Sequence, residues 1–472
     1  MSRQEKLVIF IIITFLLIEF LLLHDLPFFW DAISKSSRAD WIYTHQFSSL
    51  IVPTDINSGH PPLWIASIAL FWTVLGKSIW VARLLLLIVN FGVFYQIFLL
   101  AKNSFKGRNS IFLVLLVLLE PTLIAQSTIL NNDMLLLFFV LLGINSLFKN
   151  KHWLYAIALI GMLLTNLRGI YCSIALIIIH VWLYKAHLLD YNKKMLKSYL
   201  ISFSVFLGFI LYQYSELGWF LISKNEGYSE HRKVTELARM AKNSAAIVKN
   251  LLEYGRLFVW IPLVFLVYQF LNKKYFQIEK QSSRLLISLI VFCVVFFLGF
   301  VPFSNPMGPR YLLICFILAN ILVINLMYSL VKSIRLIKMY FALITIAFIT
   351  GHFWIYPATI AQGWDCSLAY LNYFEQEKKM LEFIDNQKIS RSSIGTNTTI
   401  NTRWLSTLKD ELKEEIRFES LSLNKNKYVL FSNIENRTSD EDIVELRTNW
   451  VEIKSYSQLG VFITLYKNPN LP

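Results

Sequence analysis

Residues Phe28–Trp64 read FFWDAISKSSRADWIYTHQFSSLIVPTDINSGHPPLW. One apolar run, Leu7–Leu23, stands before this stretch, and another, 63–76, overlaps its end and continues beyond it. Loops that merely join membrane helices are short and plain. This one carries acids, bases and many aromatic residues, which marks it as a segment that holds chemistry. Asp31 follows Pro27-Phe28-Phe29-Trp30, an aromatic cluster of the kind found at a lipid–water boundary. The plainer reading of Asp31 is a solvated acid at a helix start. At the far end, Gly59-His60-Pro61-Pro62 forces an extended backbone before a helix, and Pro62 suits a first helical turn because its missing N–H is not needed there. His60 adds a donor or acceptor that the turn itself does not require.

Composition agrees with a membrane setting. The chain has 472 residues, 56% hydrophobic and 16% charged, against the roughly 25% charged of a soluble domain. The formal charge of +14 does not point to nucleic acid, because Lys and Arg cluster in short loops between apolar runs. The four cysteines include no CxxC pair, so neither a disulfide framework nor a zinc site is expected. The run Leu7–Leu23 lacks a small-residue cleavage site and reads as an uncleaved span.

A span needs about 20 apolar residues. Candidates are 7–23, 78–101, 111–130, 133–148, 153–167, 169–184, 199–215, 257–272, 285–303, 311–331 and 339–357. The stretch 63–76 is short for a crossing and is expected to lie at the interface. With that choice Lys102, Lys106, Arg108, Lys149, Lys151, Lys193, Lys194, Lys273, Lys274 and Arg335 all fall on one side. The positive-inside rule then gives about eleven spans, with the N-terminus cytoplasmic and the C-terminus outside. The outer segment 216–256 carries apolar residues at helical spacing from Val234 to Val248, so an amphipathic helix within Glu230–Leu252 is expected.

From about residue 358 the composition becomes that of a soluble domain. Helices are expected over 375–387 and 403–416, and strands over Tyr428–Ser432, Trp450–Ser455 and Val461–Tyr466. The fold class is therefore an α-helical polytopic membrane domain, 1–357, followed by a small extracytoplasmic α/β domain, 358–472.

Three further residues stand out on the expected outer side. Asp133 follows Asn131-Asn132 at a helix start, where it serves either as a helix-terminal acid or as a functional carboxylate. Arg168 breaks the apolar pair 153–167 and 169–184, and Arg310 ends Asn305-Pro306-Met307-Gly308-Pro309. Outward arginines run against the positive-inside trend, and a guanidinium matches a phosphate through two parallel hydrogen bonds. Headgroup anchoring is the plainer reading of both. Arg83 and Lys77 are explained by snorkelling. No Walker loop, dinucleotide fingerprint or Ser-His-Asp pattern is present in context.

Taken in order, Asp31 after the first span, GHPPLW, Val81-Ala82-Arg83-Leu84, Pro121…Ser127…Asn132-Asp133 and Pro309-Arg310-Tyr311-Leu312 resemble the GT-C membrane glycosyltransferases. The branch is that of the protein O-mannosyltransferases and the bacterial lipid A aminoarabinose transferases, and the resemblance covers residues 1–357. It implies transfer of a hexosyl or pentosyl group from a polyprenyl-phosphate donor to a hydroxyl of a glycan, lipid or protein at the outer face of the inner membrane. Asp31 and Asp133 would be the catalytic carboxylates. His60, Arg168, Arg310 and Tyr311 would bind the donor. A lipid-phosphate leaving group needs no general acid, so a single base predicts inversion at the sugar carbon. The family often has an acidic pair in the first outer loop, but here Ala32 follows Asp31, so the resemblance leaves a divalent metal open without naming its ligands. The competing classes are a transporter or flippase, for which edge acids and arginines would line a path, and a non-catalytic subunit of envelope glycan assembly. Repeated halves with interrupted helices, expected of a transporter, are not visible in the sequence.

Overall fold

The computed structural model describes residues 2–104, 116–276, 279–400 and 418–471. Among them, seven helices are long and apolar enough to cross a membrane: Arg3–Leu23, Ile79–Ser104, Arg168–Lys185, Lys194–Leu217, Lys280–Phe300, the segment Pro309–Leu330 and Ile334–Gly351. An eighth results if Leu237–Leu252 and Leu257–Asn272, which meet at 93°, form one broken span. Leu63–Leu75, Asp133–Phe148 and His152–Thr165 are shorter apolar helices. The run expected over 111–130 lies partly outside the described residues, and its described part resumes after Glu120 as the helix Pro121–Thr128.

Local chemistry sets these boundaries. Ser2 and Glu5 form a capping box that starts the first helix. The helix Leu63–Leu75 begins after Pro61-Pro62, as its sequence suggests, and stops at Gly76, whose φ of 92° suits glycine. The bend between Leu237–Leu252 and Leu257–Asn272 turns through Gly255, where φ is 82° and an added Cβ would lie 2.3 Å from the Ala347 carbonyl oxygen. The amphipathic helix in the 230s therefore starts later than its periodicity implied, after a short 3₁₀ turn at Glu230–Arg232.

The membrane helices are joined by a few buried polar links. Glu120, fully buried, accepts the Leu123 N–H and pairs with Arg256 at 2.7 Å. The Arg256 guanidinium also lies 3.9 Å from the Phe316 ring centre. Arg83 does not snorkel. It is 6% exposed and donates to the Leu26 carbonyl at 2.8 Å and to the Thr128 carbonyl at 2.7 Å, tying the start of the Phe28–Trp64 segment to the helix Pro121–Thr128. Lys77 pairs with Asp40 at 2.5 Å, which anchors the helix Asp31–Thr44 to the end of Leu63–Leu75.

The C-terminal region folds as a five-stranded sheet in the order β2-β1-β3-β5-β4. Its strands are β1 (Ile394–Thr396), β2 (Glu419–Ser420), β3 (Tyr428–Ser432), β4 (Val451–Gln458) and β5 (Val461–Lys467). β1 pairs in parallel with β2 and β3, and the β3–β5 and β4–β5 pairs are antiparallel. Alternation along β3 sends Val429 and Phe431 to one face, where they meet Ile443 and Leu446 of the helix Asp440–Asn449, and sends Leu430 to the other. That second face is covered by the helix Leu371–Asn386 through Met380 and Ile384. The three expected strands are present, the helix over 375–387 begins earlier, and the helix expected over 403–416 lies outside the described residues.

The segment before the sheet is threaded into the membrane domain. Thr122 Oγ1 donates to the Cys366 carbonyl at 3.1 Å, Gln126 Nε2 to the Asp365 carbonyl at 2.8 Å, and the Thr128 and Tyr370 hydroxyls bond at 2.7 Å. Trp364 is buried, as are Cys366 and Tyr370.

Candidate active site

Asp31 opens the helix Asp31–Thr44 immediately after a strained residue. Trp30 has φ 48°, a region costly for a bulky side chain. Its indole N–H donates to the Ile434 carbonyl at 3.2 Å and its ring stacks on Phe29, so the C-terminal region holds the strained residue from outside. The strain turns the chain sharply at the point where Asp31 enters a cavity of about 320 Å³.

All six residues singled out from the sequence line that one cavity: Asp31, His60, Asp133, Arg168, Arg310 and Tyr311. Arg310 is its hub. Its Nη2 donates to Asp31 Oδ2 at 2.5 Å, its Nη1 to Asp365, and its Nε lies 3.9 Å from Asp133 Oδ2. Arg168 donates to Asp133 Oδ1 at 2.5 Å and lies over the Tyr311 ring at 4.1 Å. Lys35, one helical turn after Asp31, stands 3.8 Å from its carboxylate and donates to Asn131 Oδ1 at 2.9 Å. Three cations thus face three carboxylates, of which Asp31 and Asp133 line the cavity and Asp365 stands behind Arg310.

Asp31 is half open, with 51% of its side chain accessible, and it lines the cavity. Burial by itself would push its carboxyl up. The fields of Arg310, Lys35 and Arg38, with the Arg310 hydrogen bond, outweigh that and hold it below the usual carboxylate range. Lys35 is pushed down to about 8, chiefly by burial, although Asp31 favours its charged form. His60 is held well below its ordinary value by burial and by Arg232, Arg38, Lys35 and Arg168, so its imidazole is neutral, and its Nδ1 is buried without a hydrogen-bond partner. Asp365 moves the other way: burial and the neighbouring Asp31 and Asp133 carboxylates raise it, against the pull of Arg310.

Sequence reasoning missed Lys35, Arg232 and Asp365. Lys35 was within reach as the i+4 neighbour of Asp31. Arg232 donates to the Ser58 carbonyl at 2.7 Å and stands against Gly59, whose φ of 73° suits glycine, but no local pattern marks it. Asp365 is invisible in sequence, since only the threading of the C-terminal segment brings it to Arg310.

The donor set does not fit a metal ion. Asp31, Asp133 and Asp365 are engaged by guanidinium groups, and among the described residues no three His, Cys, Asp or Glu side chains converge as ligands would.

Residues 59–212 match the family model of the dolichyl-phosphate-mannose-protein mannosyltransferases. No curated protein sequence matches the chain significantly. Among solved structures, the chain is similar to ArnT from Cupriavidus metallidurans bound to undecaprenyl phosphate, with a TM-score of 0.53 at 10% identity over 98% of each chain. The apo form of the same protein matches with a TM-score of 0.52 at 10% identity over 97% of each chain. The family match begins at Gly59, in the turn that precedes the helix Leu63–Leu75, and the likeness to ArnT shows a fold shared over nearly the whole length of the chain.

Proposed function

We propose that the chain transfers a sugar from a polyprenyl-phosphate donor to an acceptor hydroxyl, with Asp31 as general base. The observation that carries this reading is a cavity wall on which one open carboxylate, Asp31, stands among Arg310, Lys35, Arg168 and Asp133. A lipid-linked donor stays in the bilayer, so its reacting carbon meets water at the end of the membrane helices. The outer face of the membrane is the side this reading assigns. ArnT, whose fold the chain shares, binds undecaprenyl phosphate, which supports a donor of that chemistry.

In the proposed step the acceptor hydroxyl attacks the anomeric carbon and its proton passes to Asp31 Oδ. The bond between that carbon and the phosphate oxygen breaks, and the electron pair leaves with the polyprenyl phosphate. In this reading Arg310 and Arg168 offset the charge that develops on the phosphate. Asp133 orients Arg168, and the Tyr311 ring supports its guanidinium from below. Neutral His60 offers a hydrogen bond to the donor without adding charge. Attack from the face opposite the phosphate gives inversion.

The test is turnover of purified, reconstituted protein with a panel of radiolabelled polyprenyl-phosphate sugars. Asp31→Asn is expected to remain folded while losing about 10²–10⁴-fold in rate. Turnover in Asp31→Asn close to that of the unaltered protein would remove Asp31 as the base.

A further inference from the structure

A base must combine two properties that conflict in this cavity. Asp31 needs a cation beside it to stay ionised in a partly dry site, yet a carboxylate held too tightly by a guanidinium is a weak base. Arg310 is the cation that holds it, and the far side of Arg310 is occupied. Asp365 is 2% exposed, does not line the cavity, and accepts from the Arg310 Nη1 that Asp31 does not use. The guanidinium therefore stands between two carboxylates and is divided between them.

The placement of Asp365 is built rather than incidental. Its own carbonyl accepts from Gln126, the next carbonyl accepts from Thr122, and the Gly363 carbonyl accepts from the Tyr254 hydroxyl at 3.2 Å. The helix Pro121–Thr128 and the turn at Tyr254 thus fix the backbone on which this carboxylate sits. The C-terminal region in this way reaches the candidate base without touching the cavity.

We propose that Asp365 is a positioning residue for the transfer reaction: it fixes the orientation of Arg310 and draws off part of its charge, so that Asp31 remains both ionised and basic. This rests on the reading of Asp31 as base. The groups that face the pair are Lys35 and Arg38 from the Asp31 helix, Arg310 from the turn Pro309–Leu312, Asp133 from its own helix, and Cys366 beside Asp365. The raised titration of Asp365 and the lowered titration of Asp31 agree with one cation shared by two acids.

The coupling is reciprocal, so it is measured on the partner that titrates in an accessible range. In infrared-detected pH titrations of the full-length protein in detergent, the carboxyl band that disappears in Asp365→Asn belongs to Asp365. In Asp31→Asn its midpoint is expected to fall by about one unit, because a neighbouring negative charge is gone and Arg310 is no longer shared. An unmoved midpoint overturns the proposal. With the donor that the unaltered protein uses, Asp365→Asn keeps a hydrogen-bond acceptor for Arg310 but loses the charge. It is expected to lower kcat about tenfold with donor KM unchanged, and Asp365→Glu to recover part of the loss. A rise in KM with kcat intact also overturns the proposal, since Asp365 would then serve donor binding alone. If the infrared coupling is present while Asp31→Asn turns over normally, Arg310 is shared by the two acids but the assignment of the base falls, and the catalytic role of Asp365 with it.

Discussion

The Arg168 guanidinium lies 4.1 Å from the centre of the Tyr311 ring while its Nη2 donates to Asp133 at 2.5 Å. The ring centre of Tyr311 also lies 5.5 Å from the Arg310 guanidinium, so one ring is shared by two of the arginines that line the cavity. An aromatic face attracts such cations by about 0.5–2 kcal/mol and fixes the plane in which the guanidinium presents its N–H groups. Tyr311→Phe keeps that face and is expected to change donor affinity little. Tyr311→Leu removes it and is expected to weaken donor affinity by about two- to thirty-fold. Equal affinities of the two variants for undecaprenyl phosphate would show that the ring merely fills space.

A second expectation concerns pH. Burial pushes Lys35 down to about 8, partly offset by Asp31, while Arg310 adds to the depression. Below that pH Lys35 is charged and helps Arg310 hold both Asp31 and an incoming anion; above it the charge is lost. The value of kcat/KM for the donor is therefore expected to stay level through neutral pH and to decline above about 8. Lys35→Arg keeps its charge across this range, so its profile should lose the alkaline decline. The same decline persisting in Lys35→Arg would assign it to another group.

Much of this site was legible because five of its first six residues break a local rule; Tyr311 entered only through the family resemblance. Arg168 and Arg310 interrupt apolar runs, Asp31 and Asp133 put charge at helix starts beside a membrane, and His60 exceeds what its turn requires. Membrane helices were readable for a similar reason, since apolar run length carries most of the signal. The remainder depended on tertiary placement. Arg83 looks like an interfacial cation in sequence, and only the packing of Leu26 and Thr128 around it turns it into a buried clasp. The strands β1 and β2, of three and two residues, are too short to show alternation and exist through pairing with β3 and each other. Asp365 required the fold itself.

Arg310, partly exposed in the cavity, and Arg83, which is buried, make a controlled comparison of two arginines. Arg310 bridges Asp31 and Asp365, and an ammonium cannot reproduce that two-sided planar contact. Arg310→Lys is expected to stay folded and to lose about 10- to 100-fold in turnover together with donor affinity, and Arg310→Ala to lose more of both. Arg83 satisfies backbone carbonyls only, and leaving each of these buried acceptors unpaired costs about 1–3 kcal/mol. Arg83→Ala should therefore lower expression and unfolding temperature while the surviving protein keeps its specific activity. Full donor affinity and rate in Arg310→Ala would reduce that residue to a structural link, and Arg168 would become the leading phosphate ligand.

The sidedness of the cavity can be tested without any substrate. The positive-inside argument puts the short basic loops, including that around Lys194, in the cytoplasm, and places the C-terminal sheet on the opposite side with Asp31 and Arg310. Because the sheet contacts Trp30 and the preceding segment contacts Arg310, the location of the tail reports the location of the cavity. Native thiols add little background: Cys172, Cys315 and Cys366 are buried, and Cys293 is partly so. A cysteine placed at Asn470, near the end of the chain beyond β5, is expected to react with a membrane-impermeant maleimide in intact cells. A cysteine at Lys194, which begins the helix Lys194–Leu217, is expected to react only after the membrane is permeabilised. The reverse pattern would place the sheet and the cavity on the cytoplasmic side, where a donor flipped to the outer leaflet could not reach Asp31.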